Sequence, residues 1–86
     1  MKLYEINDIY STHWVIAQNQ QSALEIVKVV IKNMGDIYYP NEISCKELSL
    51  DEVRVFCTHV KPITHTVEEW LAIYDGEERY IACSNF

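Results

Sequence analysis

Apolar and polar positions first alternate with a period of two, then switch to a helical period. In Lys2-Leu3-Tyr4-Glu5-Ile6, Tyr4 and Ile6 share one face and Leu3 and Glu5 the other, which predicts a strand. Asn7-Asp8 is a turn signal. His13-Trp14-Val15-Ile16-Ala17, dense in β-branched and aromatic residues, predicts a second strand that pairs antiparallel with the first. From Gln20 to Met34, Ala23, Ile26, Val27, Val30, Ile31 and Met34 recur at spacings of three and four. Glu25, Lys28 and Lys32 lie largely opposite, so this segment predicts a helix with one apolar face. Asn19 suits the N-cap, with Ser22 as the alternative, and Gly35 suits the left-handed position that ends a helix.

The second half is less regular. Asp36-Ile37-Tyr38-Tyr39-Pro40-Asn41 reads as a loop and Ile43–Leu48 as a strand. Ser49-Leu50-Asp51-Glu52 has a capping-box pattern, which predicts a short turn of helix from Leu50 and then extended chain, although residues 53–58 also read as a strand. Pro62 breaks the chain. Thr66 and Glu69 form another capping box, opening a helix that runs to Tyr74 and closes at Asp75-Gly76. Arg79–Cys83 predicts the final strand. The order is ββαβ(α)αβ, an α+β fold with a small, mostly antiparallel sheet and one long helix packed on one face. That expectation leaves the other face, with Leu3 and either Trp14 or Val15, open to water. A homodimer would cover it.

Length and composition then set bounds. Eighty-six residues suit a single domain over 1–86, and 49% hydrophobic with 23% charged residues excludes a disordered or low-complexity chain. Seven basic residues against 13 acidic give a net charge of −6. The bases are scattered, which disfavours direct binding of nucleic acid. Acidity concentrates in residues 42–86, so a docked partner would be basic. Residues 1–8 carry acids where a signal peptide needs an apolar run, and the most apolar window, residues 26–31, contains Lys28. These features predict a cytoplasmic chain without a membrane span. Cys45, Cys57 and Cys83 are odd in number and widely spaced, as expected for reduced thiols.

Candidate chemistry is sparse. Cys57, His59 and His65 place three metal-capable side chains within nine residues, and the same residues could pair a thiol with an imidazole base. Zinc sites usually come as paired ligands two to four residues apart, and this stretch has only one such pair, Cys57 and His59 with a single residue between, so packing and loop roles are favoured and no cofactor is expected. Asp51-Glu52 and Glu68-Glu69 fall in first turns of predicted helices, where acids complement the macrodipole without catalysing anything. Trp14, Tyr38 and Tyr39 are aromatic residues on a strand's second face and in a loop. They are candidates for an interface, with core sealing as the competing role.

The stretch from Trp14 to Ala23, a Trp-Val-x-Ala strand running into a capped helix, resembles a motif of small uncharacterised bacterial and phage proteins. Residues 66–71 and 80–84 are similar in kind. The resemblance implies a phage or mobile-element accessory protein and transfers no functional residue. The expectation is a non-enzymatic protein-binding module. The alternatives are a metal- or thiol-dependent enzyme using Cys57, His59 and His65, and an acidic nucleic-acid mimic that inhibits a DNA-binding protein.

Overall fold

A computed structural model describes residues 1–57 and 61–84. The fold is α+β. Strands β1 (Lys2–Asn7), β2 (Thr12–Ala17), β3 (Ser44–Glu47) and β6 (Arg79–Ser84) form a four-stranded sheet in the order β3-β1-β2-β6, and β4 (Val53–Cys57) pairs with β5 (Pro62–Thr66) in a separate two-stranded sheet. All four strand pairings are antiparallel. Two α-helices, α1 (Gln20–Asn33) and α2 (Val67–Ile73), and a 3-10 turn at Pro40–Glu42 complete the order.

The local signals act where expected at α1. Asn19 caps it by accepting from the Ser22 backbone N–H at 2.9 Å, and Gly35, at φ +85°, takes the chain out of the helix. Ala23, Val27 and Ile31 are buried and meet Tyr4, Ile6, Val15 and Ala17 on one face of the large sheet. Met34 lies beyond that stripe as the C-cap and is exposed. Thr66 and Glu69 close the expected capping box of α2, each side chain bonding the other's backbone N–H.

Two expectations fail for tertiary reasons. No helix starts at Leu50, although the local pattern there forms: Glu52 accepts from the Ser49 N–H at 2.6 Å. The Leu50 and Glu52 carbonyls instead accept from the Glu68 and Val67 N–H groups at the start of α2, and the chain leaves as β4. Pro62 does not end structure but opens β5, a strand position where its missing donor is tolerated.

A third correction concerns the face expected to be open. Leu3, Ile16 and half-buried Trp14 project there and pack against Phe56 of β4, Val67 and Trp70 of α2, and Leu48. The β4–β5 hairpin and α2 therefore cover it, so the large sheet is sandwiched between two apolar cores. Covering that face requires no second copy. A polar tie crosses the second core, where Glu5 accepts from Trp14 Nε1 at 2.8 Å and from Arg54 Nε at 3.1 Å. Among the described residues, no helix is long and apolar enough to cross a membrane.

Candidate functional site

The most organised polar cluster lies at the β1–β2 turn, and it centres on a histidine that is 1% exposed. Residue His13 is in register with Ile6 and Cys83, so its ring falls on the face that packs against α1. Both ring nitrogens have partners. Nε2 is 2.9 Å from Asp8 Oδ2, and Nδ1 is 2.7 Å from the Tyr80 hydroxyl. A carboxylate only accepts, so Nε2 carries a proton and donates to Asp8, and in a singly protonated ring Nδ1 accepts from Tyr80. Ser11 Oγ lies 3.3 Å from Nε2.

The other carboxylate oxygen of Asp8 shapes the turn. Oδ1 accepts from the backbone N–H groups of Tyr10 and Ser11, each at 2.7 Å, and the Asp8 N–H donates to the Ser11 carbonyl at 3.0 Å. Such an Asx turn fixes the backbone locally. Burial would raise the Asp8 pKa, but the His13 hydrogen bond and the two backbone donors outweigh it and hold the carboxyl below the ordinary aspartate value. Burial, assisted by a hydrogen bond with Cys83, raises the Tyr80 phenol far above its ordinary range and keeps it protonated. With His13 enclosed, this chain of groups works as a clamp; a substrate cannot reach the imidazole.

What the clamp presents is apolar. Ile9 and Tyr10, at the tip of the turn, are 52% and 45% exposed. Partial desolvation, then electrostatic interaction with Tyr39, Asp36 and Asp8, raises the Tyr10 phenol. Tyr39 is 41% exposed and Ile37 61%. The two loop tyrosines differ in burial. Tyr38 packs on the first core with Lys28 Nζ 5.7 Å from its ring centroid, while Tyr39 stays outside.

Trp14 sits elsewhere. Its ring packs 5.3 Å from Phe56 in the second core, with its N–H committed to Glu5, so it contributes mainly to packing between the layers. Cys57 and His65 lie on opposite faces of the β4–β5 hairpin. Cys57 pairs with Pro62 on the outward face, whereas His65 pairs with Arg54 on the inward one and meets the Trp70 ring edge-on at 4.9 Å. His59 falls outside the described residues. Among the described residues, no group of three or more His, Cys, Asp or Glu side chains is placed to hold a metal ion.

Sequence reasoning passed over Asp8 and His13. Asp8 carried a turn signal and His13 looked like one residue of an apolar strand. Only the hairpin register and the return of β6 beside β2 bring Asp8, His13 and Tyr80 together. The chain matches no protein-family model, no curated protein and no solved structure.

Proposed function

We propose that this chain is a non-enzymatic protein-binding accessory module that docks through Ile9, Tyr10 and Tyr39. The observation that carries this reading is the clamp beneath the tip: two 2.7 Å bonds to Asp8 and a buried imidazole fix the turn that holds an exposed tyrosine. A tyrosine on a pre-ordered backbone loses little conformational freedom on binding, which makes it an efficient anchor. The chain's net charge of −6 favours a basic partner, and the resemblance of its strand-to-helix stretch favours a phage or mobile-element role in the cytoplasm. The opposed faces of Cys57 and His65 give a thiol–imidazole enzyme no support.

The test is quantitative capture from host lysate with immobilised wild type and with the Tyr10→Ser/Tyr39→Ser double variant. The expected result is a specific protein retained by wild type at micromolar bait and depleted about tenfold by the double variant, whose melting temperature is unchanged. Equal retention by both would remove the tip from the reading. If wild type retains nothing specific, the module reading itself is wrong.

A further inference from the structure

Cys83 extends the buried chain of groups at the β1–β2 turn by one more member. It stands directly opposite His13 in the sheet, and cross-strand partners carry their Cβ atoms ~4.5–5.5 Å apart on one face. Tyr80 is three positions earlier in β6, and in a regular strand residues three apart project to opposite faces. A bulge changes that. Trp14 pairs with Ala82 and Val15 with Tyr80, so Ile81 is the extra residue, and Tyr80 and Cys83 both fall on the α1 side. Bulges re-aim side chains and are frequent beside functional sites. This one lets a single hydroxyl, that of Tyr80, bond both His13 Nδ1, at 2.7 Å, and the Cys83 thiol.

The donors give the chain a direction. Asp8 accepts from Nε2, so Nδ1 accepts the Tyr80 proton, and the lone pairs left on the phenol oxygen take the thiol S–H. Every hydrogen therefore points from Cys83 toward Asp8. A thiol becomes a nucleophile as its proton leaves, and here the path for that proton is built. The Cys83 proton passes to the Tyr80 oxygen while the Tyr80 proton passes to Nδ1. The resulting imidazolium faces the Asp8 carboxylate at 2.9 Å. The imidazole is enclosed, but the thiol is half-buried and open to a small reagent. The other thiols serve as internal controls. Cys45, also half-buried, stands opposite apolar Ile6, and exposed Cys57 stands opposite Pro62.

We propose that Cys83 is a peroxide-reactive thiol, with Tyr80 and His13 as the relay that removes its proton. The sulfur attacks one peroxide oxygen, so an S–O bond forms as the O–O bond breaks. Sulfur gives up an electron pair and the peroxide is reduced. His13 returns the proton through Tyr80 to the departing hydroxide, which leaves as water, and Cys83 becomes a sulfenic acid. Neither other thiol is in reach to close a disulfide. Cys45 lies three strand spacings away, ~14 Å, against ~7 Å at most between the Cα atoms of a disulfide, and Cys57 faces outward on the other sheet. The sulfenic acid therefore persists or is capped by a small thiol. This site is independent of the tyrosine tip.

The experiment treats the reduced full chain with hydrogen peroxide in the presence of dimedone, which traps sulfenic acids. Peptide mass spectrometry then follows labelling at each cysteine. The relay predicts labelling of Cys83 about tenfold faster than of Cys57, despite its lower exposure. It also predicts slower labelling of Cys83 in heavy water, because protons move as the sulfur attacks. Tyr80→Phe cuts the relay and should slow Cys83 about tenfold, with Cys45 and Cys57 unchanged. The sign separates this from a structural role, since a loosened fold would expose Cys83 and speed its labelling. Wild type alone supplies the Cys57 comparison and the heavy-water effect if that variant does not fold. Labelling of Cys83 no faster than of Cys57, no heavy-water effect at Cys83, or unchanged or faster labelling in Tyr80→Phe would each overturn the proposal.

Discussion

Replacing Asp8 by Ala is the most informative single perturbation. It removes the acceptor for the Tyr10 and Ser11 N–H groups, both at 2.7 Å, and leaves His13 Nε2 without its carboxylate at 2.9 Å. Hydrogen bonds to a charged group are worth about 1.5–3 kcal/mol, and a buried donor left unpaired costs about 1–3 kcal/mol. The turn's two N–H groups can recover water, whereas His13, 1% exposed, cannot, and its Nε2 keeps only the longer 3.3 Å contact with Ser11 Oγ. A loss of about 3 kcal/mol follows, within the range for breaking a buried pair. For a chain of this size it lowers the melting temperature by roughly 12–24 °C. Asp8→Asn should cost less, about 1–2 kcal/mol, because its amide oxygen still serves the turn and a tautomer change lets Nε2 accept from the amide N–H. Thermal melts followed by circular dichroism give both values at pH 7. The pH dependence supplies a second check. The folded pKa of Asp8 is below its unfolded value, so its stabilisation is complete above the ordinary aspartate value of 3.8 and is lost as pH falls through the lower folded value. In Asp8→Ala that part of the acid limb disappears. A shift under about 3 °C would mean less than 1 kcal/mol and refute the clamp.

Other positions separate roles that the structure assigns. Tyr38→Ser should lower the melting temperature by several degrees, roughly 4–8 °C per kcal/mol, whereas Tyr39→Ser should leave it unchanged; equal effects would contradict their different burial. Thr66→Ala removes the side-chain cap on the Glu69 N–H and should cost about 1 kcal/mol in denaturant titration, with no change in slope. Trp70→Ala removes a ring 4.9 Å from Phe56 and a donor to the Arg54 carbonyl, so about 3–5 kcal/mol is lost, enough to unfold much of the population at 37 °C. A cooperative melt above 50 °C in that variant would show the second core to be dispensable.

Legibility in the sequence followed the range of the deciding interactions. Asn19, Gly35 and the Thr66–Glu69 pair act within a few residues of themselves, so α1 and the start of α2 could be read directly. Ser49–Glu52 shows the limit: its local bonds form as the pattern suggests, but the Leu50 and Glu52 carbonyls are taken by α2, and no helix propagates. The residues of β5 carry little alternation, and only pairing with β4 makes them a strand. Trp14 looked surplus because one helix was expected to supply the whole cover. Phe56 arrives from a strand whose packing partner is 42 positions away in sequence. The clamp was least accessible of all, since Tyr80 lies 67 residues from His13.

The edge position of β6 also bears on how the chain folds. Residues of β1 and β2 meet across a turn of about four residues, and α1 follows directly onto the sheet face that it covers. Pairing β6 with β2 closes a loop of about 60 residues, which costs roughly 2.4 kcal/mol more in chain entropy than closing the hairpin. The hairpin and α1 therefore make the cheaper nucleus, and β6 docks afterwards on a strand already in place. Substitutions at Val15 or Val27 should slow folding, whereas those at Ile81 should mainly speed unfolding. His13 then acquires its Tyr80 partner only in that late step. Until β6 arrives, the imidazole has Asp8 on one side and water on the other.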